Sequence, residues 1–260
     1  MTGHLDGKVV VVSGVGPSLG RSIALRSAAA GADLVLAART ESYLLEVGKE
    51  VAELGRTAIT VPTDITDEAS SQALLTRAVE EFGHVDVLVN NAFAIPSMKD
   101  LAHTDPAVIR QGLELSLFGT LRLSQLFTPA LAESTGSIVM INSAVIRHSQ
   151  PKYGGYKIAK AALLAMSQTL ASELGPQGIR VNTVAPGYIW GESLKGYFDH
   201  MAKKYGITSE QIYEQTAATM DLRRLPEPDE IADAVVFLAS PSARAITGQC
   251  LDVNCGEYHH

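Results

Sequence analysis

The stretch Val9-Val10-Val11-Val12-Ser13-Gly14-Val15-Gly16-Pro17-Ser18-Leu19-Gly20 decides the fold. Four β-branched residues in a row read as a strand buried on both faces, where no polar side needs to alternate with an apolar one. The glycine-rich turn behind them opens an amphipathic, helix-length segment at 20–30. Strand, glycine turn and helix in that order let backbone approach an anion, and the helix N-terminus attracts its charge. That is the arrangement that holds a dinucleotide's pyrophosphate.

Outward from this turn, further apolar runs lie at 34–37, 57–61, 85–89, 137–141, 179–184 and 249–253. Segments of helical period separate most of them, at 41–54, 67–82, 104–131, 156–174 and 228–239. Strand–helix alternation predicts βαβ units and an α/β fold: a single doubly wound, mostly parallel sheet of seven strands, Rossmann type. No repeat, linker or low-complexity tract interrupts the chain, so residues 1–260 read as one nucleotide-binding domain. The segment 191–220 breaks the rhythm with about 30 residues of helical character, read as an inserted substrate lobe. Ligands of open α/β sheets bind beyond the carboxyl ends of the strands, where this lobe can cover them.

Composition narrows the partners. The 260 residues carry 21 basic and 28 acidic side chains, a net charge of -7. A mildly acidic chain is a poor polyanion binder, so neither nucleic acid nor an anionic membrane is expected. No apolar run reaches the roughly 18 residues of a membrane helix. Cys250 and Cys255 are the only cysteines, which suits a reducing compartment and a cytoplasmic protein. The seven histidines include no ligand-spaced helical pair, so no catalytic metal is expected.

Tyr156 and Lys160, at i and i+4 of a predicted helix, share a face. A cation there favours phenolate and is expected to draw the tyrosine pKa down from about 10. Tyrosine can then give a proton to a carbonyl oxygen as hydride arrives, or take one in reverse. Tyr153 and Lys157 have the same spacing, but Gly154-Gly155 between them makes a continuous helix costly.

These features together resemble the short-chain dehydrogenase/reductase family over nearly the whole chain. The family's Thr-Gly-x-x-x-Gly-x-Gly reads here as Ser13-Gly14-x-x-x-Ser18-x-Gly20, with a displaced Gly16. The resemblance assigns Gly14, Gly16, Ser18, Leu19 and Gly20 to the pyrophosphate, and Asp64, Ile65, Asn91 and Ala92 to adenine and ribose. A carboxylate at the end of the second strand would repel a 2′-phosphate. This chain has Ala38-Arg39 there, which by the family's pattern favours NADP(H) over NAD(H). Pro186, Gly187 and Ile189 match the family's Pro-Gly motif against the nicotinamide, while its later threonine is Gly191 here.

Ser143 precedes Tyr156 by 13 residues, the family's serine-to-tyrosine spacing. The resemblance therefore implies Ser143, Tyr156 and Lys160 as the catalytic set, with Lys160 also on the nicotinamide ribose. Ser143 would stabilise the substrate oxygen, although a strand-end cap is its plainer role. The family's proton-relay asparagine falls at Ser116, whose shorter side chain would need an extra water. Tyr153, Trp190, Leu194 and Phe198 are expected to wall an apolar substrate pocket. Leu194, Tyr197, Phe198 and Met201 follow helical spacing and equally suit core packing.

The expected activity is hydride transfer between NAD(P)(H) and a secondary alcohol or ketone, on a small hydrophobic substrate, in a homo-oligomer, tetramer or dimer. Two alternatives stay open. Tyr153 and Lys160 match the Tyr-x6-Lys register of enoyl-thioester reductases, and the replacements at Ser18, Ser116 and Gly191 would suit an NAD(P)-binding regulatory protein.

Overall fold

The computed structural model describes residues 3–259. Among them, seven parallel strands form one sheet in the order β3-β2-β1-β4-β5-β6-β7. The strands are β1 (Val9–Ser13), β2 (Asp33–Ala38), β3 (Ala58–Pro62), β4 (Val87–Asn90), β5 (Ser137–Ile141), β6 (Arg180–Pro186) and β7 (Cys250–Val253). The expected runs locate each of these to within two residues at either end.

Alternation along each strand splits the core in two. Val10, Val12, Leu34, Leu36, Val87 and Val89 face one side. There they meet α1 (Leu19–Ala29), α2 (Glu41–Glu53) and α9 (Pro228–Ala239). Val9, Val11, Val35, Ala37 and Leu88 face the other side. There they meet α3 (Glu68–Phe82), α5 (Thr120–Glu133) and α6 (Gly154–Leu174). Successive side chains of a strand point to opposite faces, so a continuous apolar run is what a doubly covered strand needs. Each fully buried Val or Leu contributes roughly 1.5–3 kcal/mol.

The strand order reverses between β1 and β4, where Ser13 pairs with Asn90. Chain leaving β1 turns toward α1 on one side, and chain leaving β4 departs on the other. The crevice between them is where a doubly wound sheet takes its ligand.

The expected helix at 104–131 is two helices. α4 (Pro106–Leu113) and α5 are joined by one π-helical turn at Glu114–Gly119. The wider turn brings Gly119 against Ile65, whose carbonyl would lie 2.9 Å from any Cβ there. α6 also starts two residues before the expected Tyr156, despite the glycine pair. Both glycines are closely packed: a Cβ at Gly155 would come within 2.7 Å of Ile109 Cδ1, and one at Gly154 within 3.0 Å of Leu101. The inserted segment forms α7 (Glu192–Tyr205) and α8 (Ser209–Ala217), with a small core of Phe198, Ala217, Met220 and Leu225. Among the described residues, no helix is long and apolar enough to cross a membrane.

Candidate active site

The glycine turn is held by backbone packing. Gly14 has φ +94, which an L side chain rarely adopts, and its Cα presses on the Asn91–Ala92 backbone. A Cβ at Gly20 would strike the Gly14 carbonyl, and Asn91 Nδ2 donates to that same carbonyl at 2.7 Å. Gly16 differs, because nothing lies within 4 Å of a Cβ there. Its backbone lines the crevice bare of side chains, the surface a phosphate group needs.

Two cavities run along the carboxyl ends of the strands. The first, of about 260 Å³, is walled by Gly14, Gly16, Arg39, Asp64, Ile65, Asn91 and Ala92, among others. The second, of about 580 Å³, starts from Gly14, Gly16, Ser18, Leu19 and Gly20. It passes Ser143, Tyr156 and Lys160 and ends at Pro186, Gly187 and Ile189. Every residue expected to hold the cofactor therefore borders one of these two spaces, and together they suit an extended dinucleotide. Arg39 makes no ion pair among the described residues, and its charge helps hold the Asp64 carboxyl below its ordinary pKa. Hydrogen bonds from Thr66 are the larger cause.

Ser143 follows β5, and its Oγ accepts from Val145 N at 3.2 Å. It is thus a strand-end cap, as its plainer role predicts, and its hydroxyl lies near enough to the Tyr156 hydroxyl to favour the phenolate. Lys160 is 2% exposed and donates from Nζ to the Ile141 carbonyl at 2.8 Å. Its ammonium lies 5.3 Å from the Phe93 ring centre and 5.8 Å from that of Tyr156.

This geometry corrects the expected tyrosine shift. Burial is the larger effect and pushes Tyr156 up to about 12, the Ser143 hydroxyl opposing it. Lys160 sits over the ring instead of at the hydroxyl, and burial brings its own pKa down to about 7. A desolvated amine near neutrality gives the phenol little field to ionise in.

The two tyrosine–lysine pairs are told apart by where the lysines go. Lys157 donates to His148 O at 2.6 Å and to Ser149 Oγ at 2.9 Å, away from both cavities. It is a loop tie. Tyr153 caps the start of α6 and borders the larger cavity beside Tyr188.

Ser116 borders neither central cavity. It is 1% exposed, and its Oγ accepts from Ala94 N at 3.1 Å. At the expected relay position the Ser116 hydroxyl braces the β4–α4 connection. Of the substrate-pocket residues, Tyr153 and Leu194 line the cavity, while Trp190 and Phe198 do not. Those two pack with ring centres 5.6 Å apart and planes tilted by 51°, with Tyr213 edge-on to Trp190 at 4.6 Å. The helical spacing that Phe198 shares with Leu194, Tyr197 and Met201 also suited core packing, and Phe198 lies in the lobe's core while Leu194 and Tyr197 line the cavity. The missed wall consists of Phe93, Ile95 and Met98 after β4, with Tyr188 and Tyr197. Phe93, Ile95 and Met98 are 44–50% exposed, and large apolar side chains at a loop surface were the available signal.

Comparison with known proteins gives a consistent picture. The family model described as "Enoyl-(Acyl carrier protein) reductase" matches residues 14–258. The 7α-hydroxysteroid dehydrogenase of Escherichia coli K12 is 33% identical over 255 residues, covering 97% of this chain and 95% of that protein. A solved 7α-hydroxysteroid dehydrogenase, complexed with NADH and 7-oxo glycochenodeoxycholic acid, superposes with TM-score 0.87 at 35% identity. The match covers 97% of this chain and 94% of that one. Carveol dehydrogenase from Mycobacterium avium, in complex with NAD, superposes with TM-score 0.91 at 27% identity over 98% and 99% of the two chains.

Proposed function

The chain belongs to the short-chain dehydrogenase/reductase family, and on that footing we propose that it is an NAD(P)(H)-dependent oxidoreductase interconverting a secondary alcohol and a ketone. The observation that carries the reading is that Ser143, Tyr156 and Lys160 open on one cavity, with Lys160 Nζ 5.8 Å from the centre of the tyrosine ring. Relatives acting on hydroxysteroid and on carveol support a cyclic, largely apolar alcohol, and the walls Ile95, Met98 and Leu194 suit one.

The bound nicotinamide supplies or accepts the hydride. In ketone reduction Tyr156 donates its hydroxyl proton to the carbonyl oxygen, while the Ser143 O–H donates a hydrogen bond to the same oxygen and disperses its developing charge. In alcohol oxidation the phenolate form of Tyr156 accepts the hydroxyl proton as the carbon gives up hydride, the form that burial disfavours. Lys160 would orient the ribose. The bare Gly16 backbone and the α1 N-terminus take the pyrophosphate, and Asp64 with Asn91 takes the adenosine side. Pro186, Gly187 and Ile189 back the nicotinamide.

NADP(H) is the preferred form in this proposal. The support is Arg39 at the end of β2, bordering the smaller cavity with no ion-pair partner among the described residues and no carboxylate on β2's last turn. The similar structures hold NADH and NAD, and they support the nicotinamide without carrying the phosphate preference. We further propose a single domain with 191–220 as a lobe over the substrate. The protein would work as a homo-oligomer in the cytoplasm, associated through α4, α5 and α6. Phe118 and Ile158, on the π turn and on α6, are exposed there.

The enoyl-reductase description of the matched model fits less well. That chemistry would use Tyr153 with Lys160, but Tyr153 lies beside Tyr188 and the lysine lies over Tyr156. Nicotinamide absorbance with cyclic ketones and enoyl thioesters in parallel tests the reading. Ketone-dependent oxidation of NADPH is expected, and turnover confined to enoyl thioesters would overturn it.

A further inference from the structure

Behind the catalytic pair lies a smaller cavity, of about 170 Å³, that the proposed chemistry leaves unused. Ser143, Tyr156, His148, Gln150 and Glu257 are among the residues that line it. Glu257 Oε2 is buried without a hydrogen-bond partner among the described residues. It lies against the Cα of Gly187, close enough to collide with any side chain at that position. Burial pushes the Glu257 carboxyl above its ordinary pKa, against the opposing pull of the Tyr188 backbone N–H and the Tyr258 hydroxyl.

The segment carrying this carboxyl is fixed. Asn254, 6% exposed, donates from Nδ2 to Tyr258 O at 3.1 Å, and its Oδ1 accepts from Gly256 N at 2.9 Å. Glu257 N donates to Asn254 O at 3.1 Å. Tyr258 stacks on His148 with ring centres 4.5 Å apart and planes 13° apart. A buried acceptor left unpaired costs about 1–3 kcal/mol, more when charged, so a rigid turn that holds one beside reacting groups points to a donor arriving with the ligand.

We infer that Glu257 is a specificity-determining acceptor for a second hydroxyl on the substrate, next to the reacting carbon, so that the preferred substrates are α-hydroxy ketones and the matching vicinal diols. This rests on the hydride-transfer reading above, since Ser143 and Tyr156 fix where the reacting oxygen lies. The donor is neutral and not an ammonium group, because Lys157 already places positive charge beside His148, which lines the same cavity. The small volume keeps the second hydroxyl close to the first.

Benzoin and deoxybenzoin test this, since they differ only by the hydroxyl next to the ketone. The ratio of their kcat/KM values is expected to favour benzoin by about tenfold or more, the range for one charged hydrogen bond. Glu257→Met is expected to collapse that ratio toward unity, mainly through KM, and Glu257→Gln to restore part of it, its amide oxygen still accepting. A wild-type ratio near unity, or a Glu257→Met loss that scales both rates together, would overturn the inference and leave a packing role against Gly187. Calorimetric binding of the two ketones to Tyr156→Phe loaded with cofactor keeps the two proposals separable. If neither ketone is reduced by the wild type, the hydride-transfer reading fails on this pair, and the binding ratio still decides for or against Glu257.

Discussion

Ser18 and Gly191 share one space: a Cβ at position 191 would collide with Ser18 Oγ and would stand 3.2 Å from Ser18 Cβ. The serine in the phosphate turn and the glycine that caps α7 are therefore two halves of one arrangement. Where the family resemblance leads one to expect glycine then threonine, this chain has serine then glycine, and the serine hydroxyl faces the larger cavity. Gly191→Thr is expected to weaken cofactor binding at least about threefold, and Ser18→Gly/Gly191→Thr to recover most of that loss, the coupling typical of side chains in contact. Ser18→Gly alone is expected to weaken binding or leave it unchanged. Fluorescence titration with NADPH reads all three. Strict additivity, or a severalfold tighter Ser18→Gly, would contradict the arrangement.

Arg39 gives the next prediction. If its guanidinium meets a 2′-phosphate, Arg39→Ala lowers kcat/KM for NADPH about tenfold more than for NADH, the scale of one charge-assisted pair. Parallel initial rates with the two cofactors check it. Equal losses would leave Arg39 as an adenine cover and return the preference to NAD(H).

Lys160 makes stability depend on pH. Burial lowers its pKa from 10.5 to about 7, so the unfolded chain keeps a proton that the folded protein releases between those values. The state that binds more protons is disfavoured as pH rises, so wild-type stability climbs through this window, and the burden is full below about pH 7. Relative to Lys160→Met, the wild type should gain on the order of a few kcal/mol at most between about pH 6.5 and pH 10. The variant's loss of the Ile141 hydrogen bond adds a pH-independent offset. Urea melts of both proteins across that range measure the difference, and a difference that stays flat would contradict a lysine buried without a charge partner.

The sheet was legible because fully covered strands demand unbroken apolar runs, and β1 and β5 carry them almost pure. The glycine turn was legible for a related reason, since close backbone approach permits few residues at Gly14 or Gly20. Tertiary contact hid the rest. Gly154 and Gly155 look like helix breakers, yet α6 begins at them, with Leu101 and Ile109 packed closely against their bare backbone. Trp190 and Phe198 looked like a pocket and proved to be the lobe's own core, since an apolar helix face does not say which surface it meets. Ser116 is marked as a relay position only by its place in the chain, and its bond to Ala94 N, which braces a loop, is visible only in the folded structure. Glu257 lies in a C-terminal turn with no periodicity, and nothing local marks it as a neighbour of Ser143.

The central claim is that Tyr156, and not Tyr153, exchanges the proton as hydride moves. Single-turnover reduction of a cyclic ketone by enzyme loaded with NADPH tests it most directly. Tyr156→Phe is expected to lose about 10²-fold or more in the hydride-transfer rate, the scale of general acid catalysis, while still binding cofactor. Tyr153→Phe is expected to act mainly on KM. A Tyr156→Phe enzyme that keeps its rate, with Tyr153→Phe losing it, would contradict the account and move the chemistry to the other tyrosine.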